Sequence, residues 1–380
     1  MTVTVAPFVA SWGIIGCGWI SSMFVSDLVL DRPEVTDVSH AVVAVGSREK
    51  AKAAKFIEEH CPKGACAQVK GIHNAPPQAY GSYDEVFAHP DVNIIYIGTL
   101  HPTHYSDAKA ALEAGKNVLV EKPACLNAAE WRSLSKIAKE KGLFLMEGLW
   151  TRFQPMTQTL IKKLHDEKAI GDIKAVKTDF SMPFYDSLPG SHRTLSREAA
   201  GGPLMDLGPY ILLPALLALY HNPANGKAKP ESVRASMIKS RHDVDLTTTI
   251  TLDFPRLGAQ AVCTTSHAYS SPKDERGLII GTRGEIAIHD GLSRITKITI
   301  KQYDGEFSFR DMKWKEETIE QPFPGMGLHF EADAVARDIR DGRTENELVS
   351  HEETLFVMEL LDETRKQGGY AFPEGMEQIV

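Results

Sequence analysis

The first 150 residues alternate short apolar, β-branched runs with amphipathic stretches, the pattern of a parallel sheet with helices on both faces. The runs are Trp12 to Ile15, Ala41 to Val45, Ile94 to Ile97, Asn117 to Val120 and Phe144 to Met146. Between them, Ser106 to Ala114 and Ala128 to Lys141 carry apolar residues at helical spacing, and each stops at a glycine, Gly115 or Gly142, as helix C-termini do. Cys61 to Pro77, with its prolines and glycines, breaks the rhythm and reads as a long surface excursion. After Trp150 the texture changes. Helices are predicted over Pro155 to Lys168 and Leu204 to Leu219. From Glu231 to Glu320, runs such as VRASMIKS, LTTTITLDF, AQAVCTTS and ITKITIKQY follow one another without helices, which predicts a mostly antiparallel sheet. Phe330 to Arg340 and His351 to Lys366 close the chain as helices. The expected division is an α/β domain over residues 1–149 and an α+β domain with an open, mostly antiparallel sheet over 150–380.

The chain's 380 residues suit two domains, and 43% hydrophobic with 24% charged residues suits a chain with a large core. A net charge of −8 gives no field that attracts nucleic acid or anionic lipid. No basic stretch precedes the first apolar residues, so no signal peptide is read. The longest apolar run, Ile211 to Tyr220, is too short to span a bilayer. Five cysteines, an odd number, make no disulfide framework and point to a reducing, cytoplasmic compartment. Cys61 and Cys66 lie near His60 and His73, but at no zinc spacing, and no metal is expected.

WGIIGCGWIS runs an apolar strand into Gly16-x-Gly18-x-x-Ser21 and then an amphipathic helix. Gly16 permits a tight turn, Gly18 lets backbone N–H groups approach a pyrophosphate, and the helix N-terminus faces it with its positive dipole end. After the first strand of a βαβ series this is a dinucleotide site of the Rossmann type, with Ser21 standing where a third glycine is usual. At the tip of the second strand the chain reads VGSREK. Ser47 and Arg48 stand where an NAD enzyme places an acid, and an Arg fork clasps a 2′-phosphate, so NADP is expected; alone, Arg48 would be a solvated charge. The C-terminal ends of the next strands bring Thr99, His101 and His104 to one edge and Glu121, Lys122 and Pro123 to the next, where open α/β sheets bind ligands. Thr99, His101, Glu121 and Lys122 are candidate cofactor contacts there.

GIIGCGWIS, TLHPTH, EKP and GGPLMDLGPY resemble, in order, the motifs of the glucose-fructose oxidoreductase/inositol dehydrogenase (Gfo/Idh/MocA) family. The resemblance implies a Rossmann domain, an open-sheet second domain, and NAD(P)-linked chemistry on sugars and polyols. In Asp206-Leu207-Gly208-Pro209-Tyr210, tyrosine stands where most members carry the catalytic histidine. That exchange, with LFLMEGLWTRFQP, looks like the branch of dimeric dihydrodiol dehydrogenases and fungal NADP-dependent D-xylose dehydrogenases. By that resemblance Lys122 and Tyr210 are a catalytic pair. Trp150, His104 and Asp206 meet the substrate, and Arg152, His192 and Arg193 are further candidates by neighbourhood. A homodimer through the outer face of the second sheet is likewise implied. Read singly, Tyr210 and Trp150 are core aromatics and Asp206 a first-turn helix charge. The physical reading agrees with the pairing, since a nearby ammonium favours a phenolate able to take a hydroxyl proton. The expected reaction is oxidation of a ring hydroxyl, D-xylose C1 to the lactone, with a trans-1,2-dihydrodiol dehydrogenase or an anhydro-sugar or ketose reductase as the alternatives. Some members of the family are regulators that bind a dinucleotide and catalyse nothing; they have no need for both Lys122 and Tyr210.

Overall fold

The computed structural model describes residues 6–61, 76–304 and 313–379. Cys66 and His73 lie outside them. The chain divides into two compact units: Met1–Trp150 with Pro324–Met358 and Glu377–Val380, and Thr151–Phe323 with Glu359–Met376.

In the first unit, β1 (Phe8–Ile15), β2 (Val38–Gly46), β3 (Gln78–Tyr80), β4 (Ile94–Ile97), β5 (Asn117–Glu121) and β6 (Leu145–Gly148) form one parallel sheet in the order β3-β2-β1-β4-β5-β6. The crossovers are α1 (Trp19–Leu28), α2 (Lys50–His60), α3 (Tyr83–Phe87), α4 (His104–Glu113) and α5 (Ala128–Lys141). A sheet covered on both faces needs strands apolar throughout, and β4, IIYI, is buried at every position. Asn127 caps α5 by accepting from Glu130 N, and Gly142 ends it in the left-handed region at φ 64°. Strand order reverses between β1 and β4, the crevice where such sheets take ligands.

The chain returns to this unit late, through α9 (Leu328–Arg340), which packs on α1, β1 and β2. Buried Asp27 of α1 accepts from the N–H groups of Met326 (3.0 Å), Gly327 (2.7 Å) and Leu328 (2.8 Å), capping α9. Asp333 of α9 pairs with Arg32 at 2.6 Å and accepts from His40 Nε2 at 2.8 Å, while His40 Nδ1 accepts from the Trp12 indole at 3.1 Å. A cut at 149/150 therefore follows chain order, whereas packing restores Pro324–Met358 to the first sheet.

The second unit holds α6 (Pro155–Ile161), β7 (Ile173–Asp179), α7 (Phe184–Ser187), α8 (Pro203–Ala215), β8 (Ser232–Lys239), β9 (Asp245–Phe254), β10 (Ala259–Ser266), β11 (Gly277–Gly281), β12 (Gly284–Ile288), β13 (Lys297–Asp304) and β14 (Lys313–Glu320). Helix α10 (His351–Gln367) runs from the first unit's residues into the second's. The sheet order is β14-β13-β12-β11-β7-β10-β9-β8, antiparallel except where β7 lies parallel to β10. Helix α8 packs on β7, β9 and β10 and continues through a π-helical turn to Tyr220. Pro203–Tyr220, with a mean hydropathy of 1.4, is the one helix among the described residues long and apolar enough to cross a membrane, and it is wholly buried in the fold. It is the core helix of this unit.

Candidate active site

In the first unit the β1–α1 turn has the shape its glycines predict. Gly16 sits at φ 85°, and a Cβ there would lie 2.6 Å from Gly98 O. At Gly18 a Cβ would meet nothing nearer than 3.9 Å, so the main chain beside it is open to a ligand. No side chain caps the first turn of α1 and no acid lies in it, which leaves its N–H groups for an anion. Ser21, in the third glycine's place, is fully buried because residue 98 has no side chain: a Cβ on Gly98 would stand 2.2 Å from Ser21 Oγ. At the end of β2, Ser47 is buried and Arg48 exposed, and the Gly46-Ser47-Arg48 turn contains no carboxylate.

The next turns are tied to one another. Thr99 Oγ1 donates to Asp107 at 2.7 Å and accepts from Thr103 Oγ1 at 2.9 Å. His104 is fully buried, with Nδ1 2.9 Å from Pro123 O and Nε2 3.3 Å from Thr99 O, so its ring braces the two turns against each other. The ring of His101, also buried, meets it edge-on at 5.7 Å. Glu121 points inward and accepts from Tyr96 Oη at 2.7 Å. The peptide bond between Lys122 and Pro123 is cis. Beyond it Ala124 N donates to Glu147 Oε1 and Leu126 N to Glu130 Oε2, each at 3.0 Å, so two buried carboxyls hold the loop that carries Lys122.

Burial pushes Glu147 up to about 7, against the hydrogen bonds from Ala124 and Thr354 and the charge of Lys122. A carboxyl whose folded pKa is raised stabilises the fold least once it ionises, so its contribution falls as pH climbs from about 4.5 to about 7, by on the order of 3 kcal/mol. In Glu147→Gln the amide oxygen still accepts from Ala124, and the amide N–H can donate to the Thr354 hydroxyl. The variant should therefore melt at a higher temperature than wild type at pH 8 and at nearly the same temperature at pH 4.5. Calorimetric scans across that range check it, and a difference independent of pH would be the contrary result.

In the second unit α8 places Asp206 and Tyr210 four residues apart, on one face of the helix. Tyr210 is buried, with the Phe180 ring edge-on at 6.1 Å. Asp206 accepts from Arg193 Nη1 at 3.3 Å, and His192 Nδ1 lies 2.9 Å from Thr194 Oγ1. Arg152 is buried in this unit, and Trp150, also buried, is the last residue of the first unit's opening segment.

Two residues of this unit carry no sequence signal. Asp245, at the start of β9, accepts from Leu204 N at 2.9 Å and Thr248 Oγ1 at 2.8 Å, capping α8 from a neighbouring strand. Burial raises its pKa to about 7. His267 follows β10 and lies near Asp206, Arg193 and His192.

Residues 10–149 match the model of an oxidoreductase family with an NAD-binding Rossmann fold, and residues 159–287 match the GFO/IDH/MocA C-terminal domain. The chain belongs to the Gfo/Idh/MocA oxidoreductases. It is 34% identical to a D-xylose 1-dehydrogenase (NADP(+)) of Hypocrea jecorina, over 97% of this chain and 94% of that one. It is 33% identical to a trans-1,2-dihydrobenzene-1,2-diol dehydrogenase of Bos taurus, over 96% and 98%. Among solved structures, a 3-ketoreductase from Actinomadura kijaniata in complex with NADP shares the fold at a TM-score of 0.74 and 21% identity, covering 95% of this chain and 98% of that one. An aldose-aldose oxidoreductase from Caulobacter crescentus does so at 0.74 and 23%, covering 94% and 97%.

Proposed function

We propose that this chain is an NADP-dependent dehydrogenase that oxidises a ring hydroxyl of a sugar or cyclic diol, with D-xylose C1 to the lactone as the leading reaction. The reading is carried by Lys122 of E-K-P and Tyr210 of D-x-G-x-Y occurring together in a chain 34% identical to an NADP-linked D-xylose dehydrogenase. The residues present fit the cofactor. The open main chain at Gly18 and the uncapped first turn of α1 suit a pyrophosphate, and an acid-free turn with Arg48 suits a 2′-phosphate. Gly16 and Gly18 would hold the pyrophosphate, Ser47 and Arg48 the 2′-phosphate, and Thr99, His101 and Lys122 the nicotinamide end, while Ser21, packed against Gly98, and Glu121, turned inward to Tyr96, brace these turns from within.

Nicotinamide, when bound, supplies the hydride acceptor. Tyr210, as phenolate, takes the proton of the reacting hydroxyl while the C–H electron pair leaves as hydride and the carbonyl of the lactone forms. Lys122 favours the phenolate and steadies the hydroxyl oxygen. Asp206, Arg193 and His192 orient the ring, with Arg152 buried in the same unit, Trp150 offers it a flat apolar wall, and His104 braces the turns that carry Thr99 and Pro123. Trans-dihydrodiols are the second substrate class, after the relatives so named. The same reading includes a homodimer through the sheet face opposite α8, where Val262, Leu278 and Ile280 are half-buried. It also includes a reducing cytoplasm, which suits the free thiols of Cys17, Cys125 and Cys263.

Assay of aldoses and trans-dihydrodiols with NADP and NAD tests the whole reading. It is overturned if no member of either class reduces either cofactor. In the same assay Arg48→Ala should raise KM for NADP about 10- to 100-fold, a charge-assisted bidentate contact being worth about 1.5–3 kcal/mol, and leave KM for NAD nearly unchanged. Equal losses for both cofactors would make Arg48 a surface charge only.

A further inference from the structure

His267 has no role in the mechanism above, yet it stands in the polar cluster of the second unit. Its relative exposure is 0%, and among the described residues neither Nδ1 nor Nε2 has a hydrogen-bond partner. The main chain fixes the residue: His267 N donates to Leu246 O at 2.9 Å, and its carbonyl accepts from Tyr185 N at 3.0 Å. The Phe184 ring backs the imidazole at 5.2 Å. Burial holds its pKa down, to about 4, with Arg193 and His192 adding to the effect and Asp206 opposing it, so the ring is neutral at ordinary pH.

A neutral imidazole has one N–H donor and one acceptor, and interiors seldom leave either unpaired. Here both are unpaired beside a carboxylate and a guanidinium. Arg193, its side chain 43% exposed and joined to Asp206 by one 3.3 Å contact, forms the outer side of the cluster. Together the neutral His267 imidazole, the Asp206 carboxylate and the Arg193 guanidinium supply both donors and acceptors, the complement of ring hydroxyls, each of which both donates and accepts. An apolar ring would leave them unsatisfied. Sites built to bind a hydroxyl reject analogues lacking it far more strongly than apolar pockets reject an added one.

We propose that His267 binds a hydroxyl of the substrate remote from the reacting carbon, so that this site selects polyhydroxylated rings, sugars, over aromatic dihydrodiols. The inference rests on the dehydrogenase reading above and narrows its substrate class. His267→Phe keeps a ring against Phe184 and removes both nitrogens; His267→Gln restores a donor and an acceptor. Wild type should show a higher kcat/KM for D-xylose than for trans-1,2-dihydrobenzene-1,2-diol. His267→Phe should lower kcat/KM for D-xylose about 10- to 100-fold, chiefly through KM, and that for the diol by less than about 3-fold, with NADP affinity unchanged. His267→Gln should recover part of the loss. Equal losses on both substrates, or a wild type that prefers the diol, overturn the inference while leaving the dehydrogenase reading intact. If neither substrate is turned over, that reading falls, and NMR of histidine-labelled protein decides the inference separately. D-xylose should shift the His267 ring signals, and no shift overturns it. The same titration decides the case if His267→Phe does not fold.

Discussion

Tyr210→Phe should lower kcat for D-xylose oxidation by about 10²–10⁴-fold, the range typical of a lost general acid or base. The substitution keeps the buried ring and its edge-on contact with Phe180, and it removes only the hydroxyl. The melting temperature and NADP affinity should stay close to wild type, which separates a chemical loss from a structural one. Lys122→Met should depress kcat to a similar extent, and the double variant should be little worse than either single one, because residues acting as a unit are not additive. The pH dependence supplies a second readout. Free tyrosine ionises near pH 10, and with Lys122 present the basic limb of kcat/KM for oxidation should fall well below that value. In Lys122→Met it should move upward. Wild-type turnover in Tyr210→Phe would remove the tyrosine from the chemistry and leave the proton transfer to a histidine such as His192.

Signals that are local in the chain are legible in the sequence. The turn at Gly16 and Gly18 reports on its own backbone, and the glycine that ends α5 lies where its left-handed φ is needed. The alternating runs of the second half likewise announce antiparallel strands, because each pairs with a near neighbour. Features that depend on distant partners were not legible. The segment IKAVKTD gives β7, which lies between β11 and β10 and is parallel to β10; nothing within seven residues foretells that pairing. Asp27 and Asp333 look like ordinary helix charges, yet they seat α9 on the first sheet. Ser21 fits the third glycine's place only because Gly98, distant in the chain, stands opposite it. Glu147 is a single polar residue in an apolar run, whereas Asp245 and His267 stand among other polar residues at strand ends, and only their burial marks them. The helix read over Leu204 to Leu219 starts at Pro203 and ends in a π-turn at Tyr220, which makes an 18-residue apolar helix.

Gly202→Ala should unfold or loosen the second unit at the start of α8, with a cost of about 3 kcal/mol or more. Gly202 precedes α8 at φ 105°, a conformation that costs a residue with a side chain on the order of 1–3 kcal/mol. The added methyl would also meet Asp245 Oδ1, 1.9 Å from its ideal position. Asp245 cannot simply turn away, because its other oxygen holds Leu204 N and Thr248 Oγ1. The clash therefore acts on the cap of the helix that carries Asp206 and Tyr210. Denaturant titration should show the midpoint falling with little change in slope, and KM for the sugar should rise before NADP affinity changes. A double-mutant cycle separates the two causes. Asp245→Ala removes the clash and loses the cap, so Gly202→Ala should cost less in that background than in wild type, leaving roughly the backbone share of 1–3 kcal/mol. Equal costs in both backgrounds would show that the φ angle alone requires glycine here and that Asp245 does not set the start of α8.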